Sequence, residues 1–132
     1  MTADSNAIHK AAAYIEDHLD EALTLDEVAA RAGYSKYHFG RMFRQATGRT
    51  VHQYIRKRRL TEAARALIRT DLPVVEIALA VGYESHQSFT QAFRAVYRLS
   101  PSAFRKRRVF FPAQLPVALY AEPNPFERRC AA

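Results

Sequence analysis

Apolar side chains recur along this chain at three- and four-residue intervals, and no stretch sustains the two-residue alternation of a half-buried strand. Ile8, Ala12, Ile15 and Leu19 share one face of a first helix, with Glu16, Asp17 and Asp20 largely off it. Thr24 is placed to cap a second helix, and Glu27 completes a capping box ahead of Val28, Ala29 and Ala32. Gly33 stands where that helix should end. Ser35 caps a third helix, whose predicted buried stripe is Phe39, Met42, Phe43 and Ala46, and Gly48 stops it. A long helix is predicted from Val51 to Arg69, broken by Asp71-Leu72-Pro73, because proline lacks the amide proton a helix needs. The fold class is therefore all-α.

The pattern then repeats. Leu25, Glu27, Val28, Ala29, Gly33 and Tyr34 recur 49 positions later as Val74, Glu76, Ile77, Ala78, Gly82 and Tyr83. After one inserted residue, Ser35, Phe39, Phe43 and Arg44 recur at an offset of 50 as Ser85, Phe89, Phe93 and Arg94, and Thr50 and Tyr54 match Ser100 and Phe104. Each copy reads as a short helix, a glycine-containing turn and a second helix capped by serine, the arrangement of a helix-turn-helix. The small Ala29 and Ala78 let the two helices of each copy cross closely. The predicted architecture has about seven helices: a helix-turn-helix subdomain at 1–50, a linker helix at 51–70, a second subdomain at 71–108 and a proline-containing tail at 109–132.

Charge gives these units a partner. The net charge is +7, and its distribution is uneven: residues 28–61 hold nine lysines and arginines without an acid, residues 85–121 hold six without an acid, and residues 1–27 hold seven acids and one lysine. A field polarised in this way attracts a polyanion, of which double-stranded DNA is the first candidate. With the paired phenylalanines turned inward, the second helix of unit one presents Tyr37, Gly40, Arg41 and Arg44, flanked by Lys36 and His38. Unit two presents Gln87, Thr90, Gln91 and Arg94, flanked by His86 and Ser88. Arginine favours guanine, glutamine favours adenine, and threonine can touch a thymine methyl. Lys36, Arg44, Arg49, Arg56, Arg94 and Arg98 are either phosphate clamps or solvated surface charges. The backbone N–H groups at Ser35 and Ser85, at helix starts, are further phosphate candidates. A linker helix of about 19 residues is roughly 30 Å long, close to the rise of about 34 Å in one turn of duplex, so both second helices could enter successive major grooves.

Other chemistries find little support. The single cysteine, Cys130, cannot form an internal disulfide or a cysteine metal cluster, which fits a reducing cytoplasm. No apolar run approaches the roughly 18 residues of a membrane span. There is no glycine-rich phosphate loop, zinc-spaced histidine pair or plausible cysteine nucleophile, so neither an enzyme nor a cofactor is indicated. His9, His18 and His52 read as surface or packing residues.

The chain resembles the DNA-binding region of the AraC/XylS family of bacterial transcription regulators, over about residues 7–108. The segments carrying the resemblance are Leu25-Asp26-Glu27-Val28-Ala29, Gly33 through Phe39, Tyr54-Ile55-Arg56 with Arg59-Leu60, Ile77-Ala78, and Gly82-Tyr83 through Phe93-Arg94 to Pro101-Ser102. Within the family it is most similar to the small MarA/SoxS/Rob group. That resemblance implies a monomer on an asymmetric promoter site, contact with RNA polymerase, and activation of stress and drug-resistance genes. It also places Tyr37, Gly40 and Arg41, and His86, Gln87, Ser88 and Gln91, at base-contacting positions. The group usually carries Trp where Tyr37 stands, Gln at Gly40, Gln at His86 and Arg at Gln91, so the same target is not implied, and Arg41 is expected to be the main reader of unit one. Two alternatives stay open: the isolated DNA-binding domain of a larger effector-responsive regulator, and a non-specific nucleic-acid binder. The cluster Arg105-Lys106-Arg107-Arg108 reads as a backbone grip or a basic tail. The segment from Val109 through Pro125-Phe126 reads as a packed arm or the start of an effector domain.

Overall fold

The computed structural model describes residues 3–116, and among these the chain forms seven α-helices and no strand. In chain order they are α1 (Ala3–Asp17), α2 (Leu25–Ala32), α3 (Lys36–Thr47), α4 (Val51–Arg69), α5 (Val74–Ala80), α6 (His86–Tyr97) and α7 (Pro101–Arg107). Hydroxyl side chains start most of them. Thr24, Ser35, Thr50, Ser85 and Ser100 each accept a hydrogen bond from the backbone N–H three residues on, satisfying a donor that a helix start leaves orphaned.

Three local expectations change. Thr24 Oγ1 accepts from Glu27 N at 3.1 Å, but the reciprocal capping box is built at Thr50 and Gln53 instead, where the Gln53 side chain takes the Thr50 N–H at 3.0 Å. Glu27 lies in solvent, where its charge still favours the positive end of α2 without a second hydrogen bond. Helix α1 ends at Asp17, so Leu19 lies in the turn beyond it and packs half-buried against the core from there. Ala46 is exposed, because the last turn of α3 runs past the edge of the core with Gln45 and Ala46 both in solvent.

The buried residues divide into two cores that share α4. Ala11 and Ile15 of α1, Val28 and Ala29 of α2, Phe39 and Phe43 of α3 and Val51, Tyr54 and Ile55 of α4 form the first. Leu60, Ala64 and Leu67 of α4, Ile77 and Ala78 of α5, Phe89 and Phe93 of α6 and Phe104 of α7 belong to the second. The repeat is one of packing as well as sequence. Phe43 meets Tyr54 edge-on at 5.4 Å between ring centroids, and Phe93 meets Phe104 edge-on at the same distance.

Between the two cores α4 carries a buried cation. Arg58 is 2% exposed; its Nε and Nη2 donate to the Glu16 carboxylate of α1 at 2.6 and 3.0 Å, and Nη2 also donates to Glu62 at 3.0 Å. Burial opposes its charge, yet the two carboxylates outweigh that effect and raise its pKa above the ordinary arginine value. Its Nη1 donates to the carbonyl of Gln114 at 2.7 Å, far along the chain.

That last bond belongs to an arm that runs back from α7. Ala113 N and Gln114 N donate to Thr61 Oγ1 at 2.9 and 2.8 Å, and the Tyr97 hydroxyl donates to the Phe111 carbonyl at 3.0 Å. Phe110 and Ala113 pack on the second core, and the Arg65 guanidinium lies over the Phe110 ring at 5.0 Å. Of the two readings of the tail, a packed arm describes residues 109–116; Pro125-Phe126 and Cys130 lie outside the described residues.

Removing one member of a buried ion pair strands the other, at a cost of about 3–5 kcal/mol when burial is complete. Glu16 is 30% exposed, so Arg58→Ala should cost toward the lower end, about 3 kcal/mol. Urea unfolding followed by circular dichroism measures it; a loss under about 1 kcal/mol would show that the site is replaceable by water.

Candidate nucleic-acid interface

Helices α3 and α6 are the second helices of the two units, and their inner faces hold them in place. Phe39, Phe43, Phe89 and Phe93 are fully buried, so each helix has one fixed rotation about its axis. The preceding turns match as well: Tyr34 N donates to Ala29 O and Tyr83 N to Ala78 O, both at 3.0 Å.

The opposite faces lie in solvent. Tyr37 is 75% exposed, an unusual setting for a ring of that size, and the Lys36 ammonium stands 5.2 Å from its centroid. Arg41, Arg44, His86, Gln87, Ser88, Gln91 and Arg94 are exposed too. Ser88 differs from the others because its hydroxyl already donates to the Ser85 carbonyl at 3.1 Å within the helix cap. Gly40 and Thr90, which occupy equivalent positions, are only half-exposed. A Cβ on Gly40 would meet Leu25 of α2 at 3.8 Å, which puts this position at the seam between the helices. Thr90 Oγ1 is enclosed and makes no hydrogen bond, so its hydroxyl is not presented to a base edge. Helical spacing puts both residues on the outer face of the second helix, and in the structure both sit at the inner margin of that face.

The cations sort into two sets. Arg44, Arg56, Arg94 and Arg98 are exposed and Arg49 is half-exposed, while Lys36 makes a long 4.0 Å contact with Asp26. Lys57 has its pKa lowered by partial burial and by the neighbouring Arg49 and Arg56, which marks a cluster of like charge at the start of α4. Ser35 and Ser85 sit at the starts of α3 and α6, with their side chains committed to capping. The other set is structural. Arg58 is consumed as above, Arg59 Nε donates to Leu19 O at 2.8 Å, and Arg105 donates to Leu67 O at 2.9 Å and to Leu72 O at 2.7 Å, closing the end of α4. Arg105 therefore leaves the predicted basic cluster, whose Lys106, Arg107 and Arg108 remain exposed.

Between the units lies a cleft of about 300 Å³ lined by Leu23, His52, Ile55, Arg56, Arg59, Gly82 and Tyr83, with no acid among them. Sequence reasoning found neither this cleft nor the roles of Arg58 and Arg59. For Arg58 a signal existed, since it falls on the apolar stripe of α4 between Tyr54 and Thr61 with Glu62 one turn on.

Two helix-turn-helix units with exposed polar second helices, joined through one shared helix amid unpaired cations, define a paired helix-turn-helix protein of the kind that binds duplex DNA. A helix-turn-helix domain family matches residues 28–107. The chain is 44% identical over 95 residues to the regulatory protein SoxS of Escherichia coli (strain K12), covering 72% of this chain and 89% of SoxS. It is 46% identical over 93 residues to the right origin-binding protein of the same strain, covering 70% of this chain but 32% of that protein, so it spans about a third of that relative's length. Among solved structures, an AraC-type transcriptional regulator from Chromobacterium violaceum superposes with a TM-score of 0.75 at 28% identity, over 80% of this chain and 94% of that one. The DNA-binding domain of AdpA, solved in complex with a target DNA, superposes with a TM-score of 0.72 at 32% identity, over 76% of this chain and 90% of that one. The chain belongs to the AraC/XylS family of DNA-binding transcription regulators. No helix among the described residues is long and apolar enough to cross a membrane.

Two cations, Arg98 and Arg108, close their helices in the strained left-handed region. Arg98 closes α6 at φ 63°, where the equivalent residue of unit one is Gly48 at φ 75°. Left-handed backbone costs a residue with a Cβ about 1–2 kcal/mol, partly offset by the greater unfolded freedom of glycine. Arg98→Gly should therefore stabilise the fold by about 0.5–1 kcal/mol in thermal or urea unfolding, and a loss of stability would show that the left-handed position carries no strain.

Proposed function

We propose that this protein is a sequence-specific transcription activator that binds an asymmetric promoter site as a monomer, with α3 and α6 in successive major grooves. The observation that carries the reading is the pair of unlike, solvent-facing polar surfaces on equivalent helices of one chain, held by the continuous 19-residue α4. At roughly 1.5 Å per residue that helix is about 28 Å long, near the spacing of adjacent major grooves. Tyr37 and Arg41 read one half-site and His86, Gln87, Ser88 and Gln91 the other, while Gly40 and Thr90 shape the seam behind them. Ser35, Lys36, Arg44, Arg49 and Arg56 hold phosphates on the first side, and Ser85, Arg94 and Arg98 on the second. On the resemblance to the MarA/SoxS/Rob group, we extend the reading to contact with RNA polymerase and to stress and resistance genes as targets.

Selection of bound sites from random duplex DNA, followed by titrations at several salt concentrations, tests this. The reading requires a two-part consensus and an affinity for it that survives moderate salt; equal affinity for every sequence that vanishes as salt rises would leave only a non-specific binder. Arg41→Ala should cost about 1–3 kcal/mol on the selected site and relax the preference at one base pair, and an unchanged selection profile would remove Arg41 from the reading set.

A further inference from the structure

The turn of unit two touches unit one directly. Gly82 adopts φ 91° between α5 and α6, and a Cβ there would stand 3.0 Å from the Leu19 carbonyl oxygen and 3.4 Å from Cζ and Nε of Arg59. Arg59 projects from α4 midway between the cores and donates to the Leu19 and Glu21 carbonyls in the turn that joins α1 to α2. Two facts about this contact go beyond packing. Burial works against the charge of Arg59, lowering its pKa, and no carboxylate bonds to it in return; the partners it holds are backbone carbonyls. The backbone of unit two also stands closer to unit one than a residue with a Cβ would comfortably allow, so a side chain added at Gly82 pushes directly on this contact.

From this we infer that the Leu19–Arg59–Gly82 contact is a ruler that fixes the distance and rotation between the two reading helices and so selects the spacing of the half-sites. The inference rests on the proposed two-site reading of DNA. Helix α4 packs into both cores and sets the axial span, and the contact at Arg59 and Gly82 adds a second tie across the junction of the units. Arg59 ties the helix to unit one beyond its core, and Gly82 seats unit two against that tie. One base pair of added spacer moves the second half-site by roughly 3.4 Å and 35°. A stiff pair of readers must then release one half-site, whereas a loose pair can follow it. Arg59 and Gly82 are thus positioning residues that need not touch DNA.

The test compares the protein with its Arg59→Gln and Gly82→Ala variants on the selected site and on sites with one or two base pairs inserted or deleted between the half-sites. For the unsubstituted protein, affinity should fall by about tenfold or more at the first wrong spacing, as it does when a rigid connection no longer spans both sites. In both variants the profile should flatten to within about threefold across spacings, while binding to an isolated half-site stays unchanged. A second measurement applies without DNA. Spin labels on the exposed Gln45 and Ala95, as cysteines in a Cys130→Ser background, should give one narrow distance distribution that broadens in the variants. If the unsubstituted protein discriminates no sequences, the functional reading itself fails. If it reads sequence but is indifferent to spacing, or if the variants lose affinity equally at every spacing with the distances still narrow, the ruler is overturned. A variant that melts below the assay temperature is judged by its partner and by the spin-label distances recorded in the cold.

Discussion

The structure depends on a charge placed where a hydrophobic residue would ordinarily go. Arg58 sits on the inner stripe of α4, between Tyr54 and Thr61, and is as buried as its apolar neighbours. A guanidinium in that position is tolerable only when its donors are satisfied, and the chain supplies a carboxylate from α1, a second from α4 itself and a carbonyl from the arm. Two of those partners, Glu16 and the Gln114 carbonyl, lie on opposite sides of α4 in the sequence, 42 and 56 residues from Arg58. An apolar side chain at 58 would fill the space without directing which segments meet there, whereas the planar fork of arginine specifies the orientation of each. The arm's backbone is fixed by the same site, since Thr61, one turn further along α4, accepts the next two amide protons.

Around that centre the chain solves one packing problem twice, and the differences between solutions are informative. Equivalent phenylalanines and edge-on aromatic pairs build both cores. The caps diverge. Thr24 starts α2 with a side-chain hydrogen bond, while Pro73 starts α5 with none and relies on its fixed φ. Gly48 closes α3 in the left-handed region without strain, and Arg98 closes α6 there with it. Gly40 leaves the seam between α2 and α3 open where Thr90 fills the corresponding seam of unit two. Unit two has the more costly ends, and its core gains the arm and Phe111, which adds ring contacts to Tyr97 and Phe104.

Most of this fold is legible in the sequence because periodicity, capping residues and the repeat all report on local backbone. The seven helices, the bounds of α4 and the caps at Ser35 and Ser85 follow from residues close in the chain. What is not legible depends on partners distant in sequence. Arg59 and Arg105 look like their exposed neighbours, and only the packing of the α1–α2 turn and of α7 against α4 shows that their donors are spoken for, while Arg58 betrays its burial by its place on the apolar stripe but not its partners in α1 and the arm. Helical spacing puts Thr90 on the outer edge, and spacing together with the family resemblance puts Gly40 there; for Gly40 the close approach of α2 decides on which side of that edge it falls, and for Thr90 the enclosure of its hydroxyl does.

The same distinction alters the electrostatic argument. Counting lysines and arginines gives a strongly basic first stretch, but Arg58 and Arg59 within it hold the fold together and offer a polyanion little. The cations left over are fewer. Burial, Arg49 and Arg56 together depress the pKa of Lys57, so the free protein carries a repulsive cluster where α3 hands over to α4. Such a cluster costs folding energy unless something offsets it. A phosphate backbone would. The relevant quantity is therefore the concentration of unpaired charge beside the exposed face of α3, rather than the net charge of the chain.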